Sequence, residues 1–274
     1  MDKPTIALIT AVWKRPELTG LVLNRFKNIK FELSNKINLE LIAVGSEGDV
    51  SRRLCESRGF FYVEYENVPL NRKYNAACRT AKQFDPDAVF RIDSDDWITG
   101  NIFDRYLEIL KNGVDAVGLL DIYFLDLSDF KLGKWDGYGF FNNKVDRYEA
   151  WRRKLKGRTH GVARCFSRRL MEEINWELWD EELELNSGLD GNCDKRLKRH
   201  GFKIKGFRMK ELNVFAVDIK GGGTNITENI FGKLKLEMIK NPDQLLYLFF
   251  SETEINDLKQ LNNIFRNRIE IQND

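Results

Sequence analysis

Residues 88–97 read Ala88-Val89-Phe90-Arg91-Ile92-Asp93-Ser94-Asp95-Asp96-Trp97, an apolar run that stops at three carboxylates within four positions. A short β-branched and aromatic run bounded by turn residues is a buried strand. Carboxylates crowded at its end raise one another's pKa unless a cation or hydrogen-bond donors compensate. A hard divalent cation, Mg2+ or Mn2+, suits such a donor set, because it takes a few carboxylates and leaves room for substrate phosphates. A helix start capped by Asp95 or Asp96 is the alternative, although one cap does not need three acids.

Working outward, the residues before this strand alternate in period. Thr5 to Val12 is a strand, Glu17 to Ile29 a helix through Leu18, Leu21, Val22 and Phe26, and Leu39 to Val44 a second strand. A helix at Val50 to Arg58, a strand at Phe60 to Val63 and a helix at Asn71 to Gln83 follow, before Asp85-Pro86-Asp87 turns the chain into Ala88 to Ile92. This βαβαβαβ order implies a mostly parallel α/β sheet with helices on both faces and ligands beyond the carboxyl ends of its strands. Beyond the acidic turn the pattern predicts a helix at Ile102 to Lys111, one strand at Ala116 to Leu125 and a strand at Val162 to Phe166. Helices are expected at Arg168 to Ile174 and Asn192 to Arg199, with Phe202 to Ile204 extended. The aromatic stretch from Lys134 to Phe141 has no clear period, and from Asn225 onward the pattern is mainly helical with a break at Asn241-Pro242.

The composition narrows the function classes. Forty-four basic and forty-two acidic residues give a net charge of +2, unlike a protein that holds nucleic acid by bulk phosphate neutralisation. Cys55, Cys78, Cys165 and Cys193 form no CxxC pair, so a zinc site is not expected and free thiols are. The start Met1-Asp2-Lys3-Pro4 runs into a strand without a leader pattern, and no apolar stretch approaches the ~20 residues that span a bilayer. A soluble, cytoplasmic protein is the expectation.

Several segments, in order, resemble the family 2 glycosyltransferases of GT-A fold. They are the opening strand with Thr10, Trp13, Arg15 and Pro16; the helix start Leu70-Asn71-Arg72-Lys73-Tyr74-Asn75-Ala76-Ala77, similar to K-x-N-x-(A/G); and the Asp93-Ser94-Asp95-Asp96 turn. Gly161 to Arg169 is similar to an acceptor-side strand ending in paired arginines, and Leu189-Asp190-Gly191-Asn192 with Arg196-Leu197 and Gly201 to Ile204 resembles an acidic block. The resemblance covers roughly residues 4 to 206 and implies a GT-A-type, Rossmann-like domain over residues 1–224. Its donor half would end near residue 125, an acceptor half would run from 126 to 224, and a helical extension would occupy 225–274.

It also implies transfer, with inversion, from a nucleotide-diphosphate sugar, a UDP-sugar by default, to the hydroxyl of a glycan or glycoconjugate. Thr10, Trp13, Arg15, Ser46, Lys73, Asn75, Asp93 and Ser94 would contact the donor; Asp95, Asp93 and Asp218 would bind Mn2+ or Mg2+; and Asp190 would be the base. A helix cap is the other reading of Asp190, and a solvated surface the other reading of Arg72 and Lys73. The chain departs from the family at Val44-Gly45-Ser46-Glu47, where a pair of acids is usual, and at Leu189 and Asn192. His160 could face the site, His200 reads as a cap or surface residue, and Gly221-Gly222-Gly223 suits a mobile loop, a diphosphate approach or a linker. Trp135, Tyr138, Phe140, Phe141, Tyr148 and Trp151 are candidates for acceptor stacking. The alternatives are a sugar-nucleotide nucleotidyltransferase, which needs a glycine-rich loop that Thr10 to Lys14 does not supply, and a non-catalytic binding module. A modified nucleic-acid base is the alternative acceptor.

Overall fold

The computed structural model describes residues 3–138, 155–221 and 230–273. Strand β1 (Thr5–Ala11) sends Ile6 and Leu8 into one core and Ala7 and Ile9 into another. Strand β2 (Asn38–Gly45) divides the same way, Leu39, Leu41 and Ala43 against Ile42 and Val44. Strands buried on both faces read as continuous apolar runs, which is why the sequence shows them so clearly.

Between and after them come α1 (Pro16–Glu32), α2 (Asp49–Glu56), β3 (Phe61–Glu64), α3 (Leu70–Ala81), β4 (Ala88–Arg91), β5 (Asp96–Ile98) and α4 (Asn101–Lys111). The chain continues through β6 (Ala116–Leu119), β7 (Ile122–Asp126), β8 (Lys131–Trp135), β9 (Arg164–Ser167), α5 (Arg168–Glu173), α6 (Leu189–Arg199) and β10 (Ile204–Phe207). It ends with α7 (Met209–Leu212), β11 (Ala216–Lys220), α8 (Ile230–Lys233), β12 (Glu237–Met238), α9 (Pro242–Leu246) and α10 (Glu252–Asn273).

The large sheet has the order β10-β6-β9-β4-β1-β2-β3. All its pairings are parallel except those of β9, which runs antiparallel to both neighbours. Apolar residues of α1 and α4 cover one face, and those of α3, α5 and α6 cover the other. The expected mostly parallel α/β sheet with helices on both faces is the architecture found.

A second sheet, β12-β8-β7-β11-β5, packs into the same core as α1 and α4. It corrects the single strand expected over Ala116 to Leu125. That run breaks at Leu120-Asp121, so β6 joins the large sheet and β7 the small one. Both halves are apolar, and periodicity alone cannot register a change of sheet. The buried Asp121 carboxylate marks the break by accepting from Met209 N at 2.8 Å.

The C-terminal stretch contains β12 as well as helices, and Leu246, Phe250, Ile255, Leu258 and Leu261 enter the first core. Arg25 of α1 ties it down through Glu254 at 3.0 Å and the Ile98 carbonyl at 3.1 Å. The proposed boundary at residue 224, the triple glycine beyond Gly221, and Phe140, Phe141, Tyr148 and Trp151 lie outside the described residues. Among the described residues no helix is long and apolar enough to cross a membrane.

The topology gathers three loops on one rim. Val12 N donates to Val44 O at 2.9 Å and Ile92 N to Ile9 O at 3.1 Å, so the chain leaves β1, β2 and β4 side by side at their carboxyl ends.

Candidate functional site

The acidic turn joins the end of β4 to β5, and a carboxylate oxygen from each of Asp93, Asp95 and Asp96 lies within 4.8 Å of the others. Asp93 N donates to Asp96 Oδ2 at 3.0 Å, closing the turn. The small sheet adds a fourth acid, because β11 pairs with β5 so that Asp218 stands opposite Asp96. Four aspartates from sequence positions over a hundred residues apart therefore share one pocket of charge.

Cations surround them. Arg15 Nη1 lies 3.2 Å from Asp95 Oδ2, Lys220 Nζ is 3.6 Å from the same oxygen and 2.5 Å from Asp218 Oδ1, and Arg91 Nη2 donates to Asp93 Oδ1 at 2.7 Å. The Tyr74 hydroxyl also donates to Asp93 Oδ1. Arg15 reaches Asp95 from a left-handed backbone, φ 51°, directly after Lys14 at φ 54°. Two consecutive non-glycine residues in that region are strained. The Arg15–Asp95 pair and the bond from Lys14 N to Glu47 Oε2 at 2.7 Å hold them there.

Burial raises the Asp93 carboxyl above its ordinary range despite Arg91, and it pushes Asp96 well up, with Asp218 adding to the effect. Asp218 is pushed up to about 7, again chiefly by burial and against the pull of Lys220. The site thus holds more carboxylates than its cations neutralise comfortably. An all-oxygen set with surplus negative charge fits a hard divalent ion.

Asp190 occupies the first turn of α6, whose N-cap is Gly188 rather than Asp190 itself. A Cβ on Gly161 would sit 2.5 Å from Asp190 Oδ1, so only glycine lets this carboxylate lie against the loop that precedes β9. Arg91 connects the two acidic regions, since its Nη1 donates to the Gly161 carbonyl at 2.8 Å while Nη2 holds Asp93. Burial would raise the Asp190 carboxyl, but Arg164 and Arg91 overcome it and hold the group below the usual range. It is ionised at neutral pH. Beside it, His160 is half-buried, accepts from Val162 N through Nδ1 at 3.2 Å, and is edge-on to Phe124 and Trp135. Burial pushes its pKa down to about 3, so the imidazole is neutral.

The remaining sequence-predicted positions divide. Lys73 and Ser46 come together under the β1 and β2 loops: Lys73 Nζ donates to Val12 O at 2.8 Å, Asn67 Oδ1 at 3.0 Å and Ser46 Oγ at 3.2 Å. Burial lowers Lys73 to about 8 against the pull of Glu47 and Glu64. Its three bonds join separate loops, so Lys73→Met is expected to destabilise the protein by roughly 2–3 kcal/mol in urea denaturation, the cost of stranding buried acceptors. Asn75 has a different partner from the donor expected for it. Its side chain brackets Trp179, donating to the carbonyl at 2.8 Å and accepting from the amide at 3.2 Å, and with Asn71 it fastens residues 179–185 to α3.

Thr10 and Ser94 are buried, and Thr10 Oγ1 has no partner among the described residues. Trp13 is partly exposed, with Lys14 Nζ 4.3 Å from its ring centre. His200 ends α6 on the surface. Arg168 and Arg169 pair with Asp85 and Asp115 at the amino-terminal end of β4 and β6, because antiparallel β9 carries them to the rim opposite the acidic turn.

No family model matches the sequence, and no curated protein matches it. Among solved structures, S. aureus TarS 1–349 superposes with a TM-score of 0.51 at 16% identity, covering 74% of this chain. The fold is GT-A-like. This chain spans 58% of the length of that TarS fragment. More distant are a Drosophila galactosyltransferase in complex with manganese, UDP-Gal and xylobiose, with a TM-score of 0.42, 11% identity and coverage of 74% and 64% of the two chains. A cytidylyltransferase from Leptospira borgpetersenii has a TM-score of 0.42 at 13% identity and covers 76% of each chain.

Within this GT-A-like frame, sequence reasoning missed Tyr74, Arg91 and Lys220. Arg91 carried a signal, a charge inside an otherwise apolar strand. Lys220 carried none, because β11 is short and mixed and is defined only by its pairing with β5 and β7.

Proposed function

We propose that this chain is a divalent-metal-dependent glycosyltransferase that moves a sugar from a nucleotide-diphosphate sugar, a UDP-sugar by preference, to an acceptor hydroxyl with inversion. The observation that carries the reading is the convergence of Asp93, Asp95, Asp96 and Asp218 between the carboxyl end of β4 and the start of β5, with Arg15 and Lys220 against Asp95. A GT-A-like sheet supports it, and so does the absence of a glycine-rich turn after β1, which disfavours a nucleotidyltransferase.

Asp95 and Asp93, with Asp218 at hand, would hold Mn2+ or Mg2+. When bound, the ion stabilises the charge that develops on the leaving diphosphate. Arg15 would share that task, and Ser46, held by the buried Lys73, would line the nucleotide side. The acceptor oxygen attacks the anomeric carbon, the bond to the β-phosphate oxygen breaks with its electron pair, and the acceptor proton passes to Asp190. One displacement needs one base, unlike double-displacement hydrolases. The acceptor is proposed as a glycan or glycoconjugate.

A panel of nucleotide sugars, measured by calorimetry and donor hydrolysis with Mn2+, Mg2+ or EDTA, tests the reading. One donor is expected to bind only with metal, and Asp95→Ala is expected to weaken this by about a hundredfold or more. Failure of every donor with every metal sinks the transferase reading.

A further inference from the structure

Lys220 is the last residue of β11, and its side chain is only 6% exposed. Its ammonium lies between two carboxylates of the site, 2.5 Å from Asp218 Oδ1 and 3.6 Å from Asp95 Oδ2, over the Phe124 ring at 5.9 Å. Asp95 Oδ2 is also the oxygen that Arg15 approaches to 3.2 Å. Arg91, in contrast, is held at both ends, by Asp93 and by the Gly161 carbonyl.

Two features set Lys220 apart. It lies against carboxylate oxygens of Asp95 and Asp218 that a divalent ion bound there would use, and two further positive charges beside this ammonium and Arg15 would be strongly repelled in a water-poor site. A lysine is also a compact charge on a flexible four-carbon stem, able to exchange partners in a way that a forked arginine bonded at both ends is not.

Charge balance says where it would go. Among the described residues the four aspartates face three cations, Arg15, Arg91 and Lys220. A dication arriving with a diphosphate brings equal and opposite charge, so an ammonium displaced from Asp95 and Asp218 would have a new anion in the diphosphate.

We propose that Lys220 is a displaceable counter-ion of the metal site: it competes with the divalent ion for Asp95 and Asp218, and on metal entry it pairs with the donor diphosphate. This rests on the metal-dependent reading above. Lys220 then couples the two ligands, since each makes room for or holds the other.

The test uses Mn2+ alone, titrated into the wild type, Lys220→Met and Lys220→Gln and followed by water-proton relaxation, with UDP then titrated at saturating Mn2+. Lys220→Gln keeps a hydrogen-bond donor for Asp218 and guards against misfolding of the methionine variant. Both variants are expected to bind Mn2+ about tenfold more tightly than the wild type and to bind UDP about tenfold more weakly. Unchanged or weaker Mn2+ binding overturns the competition, and unchanged UDP affinity overturns the transfer to diphosphate. Asp95→Ala separates this failure from that of the metal reading. If it loses Mn2+ while both lysine variants match the wild type, only the lysine inference falls; if it binds Mn2+ as the wild type does, the metal reading falls as well.

Discussion

Asp190→Asn is expected to slow sugar transfer by roughly a thousandfold while leaving metal-dependent donor binding within about twofold, the pattern of a lost proton acceptor. The carboxylate is held ionised by Arg164 and Arg91 and lies against Gly161, which Arg91 links to Asp93. Asparagine preserves the volume and leaves both arginines other acidic partners, Asp194 for Arg164 at 3.1 Å and Asp93 for Arg91 at 2.7 Å. Single-turnover transfer and donor calorimetry, measured together, decide the matter. A loss in donor affinity with an unchanged chemical step would make Asp190 a structural partner of Arg164 and remove the base from the mechanism.

The second large effect is on stability in mild acid. His160 is neutral in the folded protein down to about pH 3, whereas an unfolded histidine takes up its proton near 6.5. A base whose folded pKa is depressed destabilises the native state as pH falls below the unfolded value, because only the unfolded chain binds the proton. Between pH 6.5 and 4.5 this amounts to about 2–3 kcal/mol, with more lost below. Asp218 works in the opposite sense over the same range, since its raised folded pKa near 7 makes the native state the better proton binder. The difference between wild type and His160→Gln isolates the histidine. Gln keeps an acceptor for Val162 N, and urea denaturation at pH 7.5, 6.5, 5.5 and 4.5 should show the wild type losing about 2–3 kcal/mol relative to the variant on acidification. Parallel curves would mean that His160 takes up its proton as readily in the native state as in the unfolded chain.

These two residues show how differently parts of the site could be read. His160 stood in the sequence as a histidine before a strand, and its burial between Phe124 and Trp135 follows from two strands of a sheet that the sequence did not announce. Asp190 was visible as an acid in a helix start, yet its position against Gly161 needs α6 and the β9 loop to meet. Asn75 shows the reverse. Its motif position suggested a donor contact, while the fold engages its amide with Trp179, more than a hundred residues away.

The sequence by itself determined the alternating strands and helices from β1 to β4, the helix α4, the two-faced burial of β1 and β2, and the three carboxylates at the end of β4, but not the short strand β5 that begins within them. These are local properties: side-chain period sets the element, and residues 93, 95 and 96 are neighbours in any conformation of a tight turn. Only the tertiary structure decided that β6 and β7 belong to different sheets, that Asp218 and Lys220 join the acidic turn, and that Arg91 spans Asp93 and the Gly161 loop. Such contacts depend on strand order and register between segments far apart in the chain, which no local period records. The charge states that follow depend on burial, which exists only once the two sheets and their helices have packed.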